Sequence, residues 1–186
     1  MLLRRERPAD RPAVLRMIHD AFAKDDGVPI EVGLTERLFD DGYIPELSLV
    51  ALDGDRIVGY VIGSRGFVGD IEGGDTEGVG IEGVGIEGVG IGAVGIGPLA
   101  VLPEYQGRGV GTALMFALVG AAEATRERLL VLLGEPDYYG RFGFQAGSEV
   151  GVGSPDPEWG TYFQALQLSD GPVNGTFRYA KPFDDL

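Results

Sequence analysis

Gly97-Pro98-Leu99-Ala100-Val101-Leu102-Pro103-Glu104-Tyr105-Gln106-Gly107-Arg108-Gly109-Val110-Gly111-Thr112-Ala113-Leu114 carries an apolar run into a loop, three alternate glycines and an Ala- and Leu-rich segment. It reads as strand, loop and helix in direct succession. Glycines at 107, 109 and 111 let backbone amides converge on one point with no side chain in the way. The first turn of the helix adds N–H groups without intrahelical partners and a partial positive charge. The stretch is therefore a cradle for a pyrophosphate. No lysine follows at the spacing of a Walker loop, which argues against nucleotide hydrolysis of that type.

Working outward, Gly109 to Arg126 is a helix and Leu129 to Leu133 an unbroken apolar run that suits a buried strand. A short helix near Asp137 to Arg141 follows, with strands expected around Phe144 to Val152, Tyr162 to Leu168 and Thr176 to Tyr179. Upstream of the cradle, Leu47 to Leu52 and Arg56 to Ser64 are strands joined by the hairpin turn Asp53-Gly54-Asp55. Val32 to Asp40 is a helix. A first helix begins at Asp10 or Pro12, with Val14, Leu15, Ile18, Ala21 and Phe22 on one face, after a strand over residues 2 to 6. Strands at both ends with helices between them give a mixed α+β sheet.

Residues 66 to 97 break the composition: 13 of the chain's 32 glycines fall there. Glu77-Gly78-Val79-Gly80-Ile81 recurs twice, as Glu82 to Ile86 and Glu87 to Ile91, then degenerates into Gly92-Ala93-Val94-Gly95-Ile96. A five-residue period turns Val79 and Ile81 to one face of a strand and Val84 and Ile86 to the other. Helix is disfavoured as well, because each glycine costs about 1 kcal/mol relative to alanine. We therefore expect a glycine-rich pentapeptide-repeat insertion over 66–95, flexible and extended over about 69 to 92, whose ends continue the flanking strands. Gly78 to Gly83 matches the G-x-G-x-x-G spacing only through this repeat. More glycine follows it where a dinucleotide fold needs a helix.

The chain has 186 residues, enough for one domain with a substantial core, and the expected organisation is a single domain over 1–186. Its formal charge is −14, which argues against nucleic acid as a partner. Two of its 15 basic residues are lysines, Lys24 and Lys181, and the acidity fits either a high-salt cytoplasm or an ordinary acidic composition. With no cysteine and only His19, thiolate chemistry and histidine-rich metal sites are excluded, so no metal is expected. The start of the chain lacks the apolar core of a signal peptide, and no run approaches the ~18 apolar residues of a membrane span. The expectation is a cytoplasmic protein with no membrane contact, as a monomer or homodimer.

Gln106, Gly107, Arg108, Gly109, Val110 and Gly111, placed after a strand, match Gln/Arg-x-x-Gly-x-Gly/Ala and resemble the acetyl-coenzyme A signature of the GNAT superfamily of N-acetyltransferases. Tyr139-Gly140-Arg141-Phe142-Gly143-Phe144 is similar to that family's Tyr-x-x-x-Gly-Phe element. Together with Pro45 to Ala51 and Gly175 to Tyr179 the pattern resembles the YhbS-like branch, across nearly the whole chain except the glycine block.

The resemblance implies a GNAT-type fold, with a mostly antiparallel mixed sheet flanked by helices, and acetyl-CoA as cosubstrate. The pantetheine arm would lie between splayed parallel strands, bonded to the backbone of Leu99, Ala100 and Val101. The Val101 amide would then donate to the thioester carbonyl, and Gln106, Gly107, Arg108, Gly109, Val110, Gly111 and Thr112 would hold the pyrophosphate. Buried strand explains Leu99, Ala100 and Val101 equally, and both readings hold together. Tyr139 falls at the general-acid position. A phenol of pKa ~10 stays protonated at neutral pH, yet lies near enough to a thiol of ~8.5 to give it a proton. Tyr138 reads as a packing residue. Candidate bases toward the acceptor are His19, Glu31, Glu135 and Asp137, and deprotonation through water needs none of them. The implied activity is direct acetyl transfer to an amine of a small molecule or protein. The alternatives are a non-catalytic acyl-CoA binding or sensing module on the same fold, and an interaction protein acting through the glycine repeats.

Overall fold

The computed structural model describes residues 1–23, 27–69 and 90–184. Strand β1 (Leu2–Arg5) leads to helices α1 (Arg11–Phe22) and α2 (Ile30–Asp40). Strands β2 (Tyr43–Asp53), β3 (Arg56–Val68) and β4 (Ile91–Val101) follow, then α3 (Val110–Ala124), β5 (Leu129–Leu133) and the single turn α4 (Pro136–Tyr139). The chain ends with β6 (Gln145–Ala146), β7 (Val152–Gly153), β8 (Phe163–Gln167) and β9 (Gly175–Arg178).

The main sheet runs β1-β2-β3-β4-β5-β8-β6, and β9 pairs with the far end of β3. All of these pairings are antiparallel except β4 with β5. Adjacent strands joined by a tight turn pair antiparallel, as β2 and β3 do through Asp53 to Arg56. Strands β4 and β5 are joined by the crossover helix α3 and so run parallel.

Apolar side chains from α1 and α2 (Val14, Ile18, Leu34, Leu38) and from α3 (Leu114, Met115, Leu118) are fully or nearly fully buried in one core with β2, β3 and β4. A second cluster, including Leu129, Val131, Phe163 and Phe177, packs the β5-β8-β9 half. Glu6 is buried in the first core's margin with its side chain 2% exposed, bonded to Arg11 at 3.2 Å, while Ser48 and Tyr60 share a hydrogen bond at 2.9 Å. A carboxylate so deep is kept by its guanidinium partner, which also lies over the Phe39 ring at 4.5 Å.

The edges of the glycine block are strand. Phe67 pairs with Gly92 and Val68 with Ile91, so the ladder between β3 and β4 continues through residues 64–68 and 91–95. Pairing with β3 outweighs the weak strand preference of glycine there. Residues 70–89, which hold most of the pentapeptide repeats and of the stretch expected to be flexible, lie outside the described residues, as do residues 24–26 and 185–186.

One expected strand is different. Phe144 to Val152 is not continuous: Gln145–Ala146 and Val152–Gly153 are separated by a 3-10 turn over Gly147–Val150. Gly147 sits against Phe163, where a Cβ would come within 2.7 Å of both the ring and the Val152 carbonyl, so the chain must turn away from the sheet.

Candidate active site

The site is built where β4 leaves β5. Val94 pairs with Leu130 and Gly95 with Val131, and the described pairing of these two strands stops there. The cause lies on the other side of β4. Val61 faces Leu99 and Gly63 faces Ile96, so two steps along β3 match three along β4, and the extra residue makes a bulge at Gly97 and Pro98. Proline also removes a ladder donor. Beyond the bulge β4 follows β3 and parts from β5.

The polar groups of β4 then face the gap. Leu102 donates its N–H to the Val58 carbonyl at 3.0 Å, fixing which residues of this strand end point toward β3. Alternation along a strand turns the amides of Leu99 and Val101 the other way, toward β5. Ala100 is buried opposite Tyr60 on β3.

The loop after β4 is fastened from both sides. Tyr105 donates its hydroxyl to Asp53 at 2.9 Å, and Arg56 bonds Glu104 at 2.8 Å, tying the loop to the β2-β3 turn. The Asp53 bond raises the Tyr105 phenol above its ordinary value. Gln106 Nε2 donates to the Val101 carbonyl at 3.0 Å, so this side chain locks the loop to the strand end. Gly107 and Gly109 adopt φ of 69° and 82°, the left-handed region that costs other residues about 1–2 kcal/mol. This turn aims the start of α3 into the cleft. The first α3 bond runs from Ala113 to the Gly109 carbonyl, so the N–H groups of Val110, Gly111 and Thr112 have no partner within the helix.

A cleft of about 440 Å³ results, lined by Val101, Gln106, Gly107, Gly109, Val110, Gly111 and Thr112 among the sequence-predicted residues. Tyr105, Tyr138 and Arg141 line it as well. The Tyr138 hydroxyl lies 2.8 Å from where a Cβ on Gly111 would stand, so the aromatic side chain closes over the first turn of α3. Arg141 is held by its Nε bond to the Tyr138 carbonyl at 2.9 Å, with its guanidinium 4.8 Å from the centre of the Tyr138 ring. Spacing of three residues on a helical turn is the sequence signal for that pair.

Arg108 stands elsewhere. It does not line this cleft, and its guanidinium lies over the Tyr105 ring at 5.6 Å.

Tyr139 does not line the cleft either; its ring lies against Gly134 at the end of β5, edge-on to Tyr138 and Phe144. Burial, with a smaller push from neighbouring Tyr138, raises its phenol to about 12. Gly134 is itself clamped: its N–H donates to the Tyr162 carbonyl at 2.9 Å, and its carbonyl accepts from the buried Gln164 side chain at 2.8 Å. The proton donor implied by the resemblance thus stands at the end of the strand that borders the gap. His19, Glu31, Glu135 and Asp137 do not line the cleft; His19 is exposed beside Asp20 at 3.3 Å, and Glu135 and Asp137 are exposed on α4 and its cap.

The arrangement matches known proteins. Residues 45–146 match the family model of the acetyltransferase (GNAT) domain. The chain is 29% identical over 176 residues to the uncharacterized N-acetyltransferase YhbS of Escherichia coli K12, covering 94% of this chain and 92% of that protein. The crystal structure of E. coli YhbS in complex with CoA superposes with a TM-score of 0.76 at 29% identity, covering 98% of this chain and 91% of that one. A GNAT family acetyltransferase from Brucella melitensis in complex with acetyl-CoA superposes with a TM-score of 0.72 at 27% identity, covering 98% and 97%. No described helix is long and apolar enough to cross a membrane. A parted parallel strand pair, a glycine turn opening a helix, and a family match over more than half its length together place this chain in the GNAT acetyltransferase family.

Proposed function

We propose that the chain is a cytoplasmic, acetyl-CoA-dependent N-acetyltransferase that passes the acetyl group directly to an amine of a small molecule or protein. The observation that carries this reading is the gap between β4 and β5, with the glycine turn at its mouth and Tyr139 at the end of β5. Acetyl-CoA supplies an activated thioester, and the protein supplies position and protons. The amides of Gly107 to Thr112 and the start of α3 hold the pyrophosphate, while backbone groups of Leu99 and Val101 align the pantetheine arm as an added strand would; Ala100, paired with Tyr60 on β3, takes no part in that bonding. An N–H of β4, that of Val101, donates to the thioester oxygen as it gains negative charge.

When the acceptor nitrogen bonds the acetyl carbon, the carbon–sulfur bond breaks and sulfur leaves with the electron pair. Tyr139 gives its hydroxyl proton to that sulfur, the proton lost from the amine goes to water, and water returns a proton to the phenolate. A buried phenol raised to about 12 keeps its proton at neutral pH. The formal charge of −14 favours approach of cationic amines.

The test is to incubate purified protein with acetyl-CoA and a panel of polyamines, aminoglycosides and peptide amines, following release of the free thiol. Amine-dependent release with at least one class is expected. Tight acetyl-CoA binding with no release across the panel would favour the non-catalytic binding module instead.

A further inference from the structure

Arg141 is the one cation among the described residues lining the cleft, and it lies in the 3-10 turn Gly140–Phe142 that follows α4. Its Nε is committed to the Tyr138 carbonyl and its guanidinium lies by the Tyr138 ring, and among the described residues none bonds its two terminal nitrogens. A guanidinium held in this way loses little freedom when it binds, and its forked donors suit a phosphate. The diphosphate is already provided for by the amides of Gly107 to Thr112. CoA carries a further phosphate as a monoester on its adenosine ribose, and that dianion calls for a donor of its own.

We propose that Arg141, oriented by Tyr138, reads the ribose monoester phosphate of CoA and makes the site selective for CoA over its 3′-dephospho form. The inference rests on the reading of the cleft as a CoA site. Arg108, whose guanidinium lies over the Tyr105 ring and does not itself line the cleft, contributes only a screened, long-range attraction to any anion.

Calorimetric titration of the full chain with CoA and with 3′-dephospho-CoA tests it, using wild type, Arg141→Gln and Arg108→Gln. Wild type is expected to bind CoA at least about tenfold more tightly than 3′-dephospho-CoA, the usual scale of a charged hydrogen bond. Arg141→Gln is expected to lose that preference by weakening CoA alone. Arg108→Gln should weaken both ligands alike, less so at high salt. The proposal is overturned if Arg141→Gln weakens both ligands equally, which would put its contact on the diphosphate, or if the preference survives in Arg141→Gln, or if Arg108→Gln is the variant that removes it. Failure of wild type to bind either ligand would instead refute the CoA site itself.

Discussion

The Tyr139 ring fills the space that a side chain on Gly134 would need: a Cβ there would meet Cε2 and lie 2.9 Å from Cδ2. Because Gly134 is bonded on both sides, to Tyr162 and Gln164, it cannot retreat, so the bare backbone at the end of β5 sets where the phenol sits. Gly134→Ala should therefore push Tyr139 aside, lowering kcat by about ten- to a hundredfold, the scale expected for a catalytic group displaced by about 1 Å. The Kd for CoA should move by no more than about threefold. Equal losses in kcat and CoA affinity, measured by steady-state kinetics and calorimetry, would contradict this.

Tyr139→Phe removes the proposed proton donor and keeps the ring. Its kcat should fall by about a hundredfold or more while CoA affinity is kept, the usual range for losing a general acid. Tyr138→Phe, which alters the cleft wall over Gly111, should affect CoA affinity more than kcat. If the two variants behave alike in kcat, the assignment of the donor is wrong.

The pH dependence follows from the same burial. The folded-state phenol of Tyr139 is raised from 10.0 to about 12, so the donor is intact throughout the assay range and begins to be lost only as pH approaches 12. Burying the neutral form contributes stability that is full below pH 10 and falls as pH rises through the folded value. The profile of kcat should carry no alkaline fall between pH 7 and about 10 that vanishes in Tyr139→Phe. Finding such a fall near pH 8 would show a phenol with a far lower pKa.

Much of this was legible in the chain. Leu129 to Leu133 matches β5 at both ends because five consecutive apolar residues admit no amphipathic alternative, and the glycines at 107 and 109 marked the left-handed turn before α3. Other features depend on the fold. Arg141 and Tyr138 are only three residues apart in sequence, yet their place in the cleft depends on how α4 closes over Gly111. Gln106 looked like a ligand contact and is tied to Val101 through a bond that spans the loop. The ends of the glycine block continue the flanking strands as expected, while the register that pairs Phe67 with Gly92 and Val68 with Ile91 depends on β3, which lies across the whole block.

The flanks of the glycine block give a construction test. Val68 and Ile91 are paired, and Gly69 lies beside Gly90, so excising residues 70–89 would join them as a two-residue Gly-Gly turn between paired strands. Six acids and no base would leave with it. The shortened chain should fold and bind CoA within about twofold of the full one, since the β3-β4 ladder is already closed at Val68 and loop length adds little. Loss of folding, seen by circular dichroism and thermal melting, would show that the repeats hold the sheet together.

The central claim is direct transfer from acetyl-CoA to an amine held beside it, and a single-turnover experiment addresses it. Protein in excess over acetyl-CoA is mixed with the best acceptor from the panel, quenched at intervals and weighed intact by mass spectrometry alongside the small molecules. The predicted result is acetylated amine appearing in step with free CoA, with the protein mass unchanged at every time point and the rate strongly reduced in Tyr139→Phe. A protein that gains an acetyl group before the amine does, or acetyl-CoA that stays intact with every amine, would contradict the account.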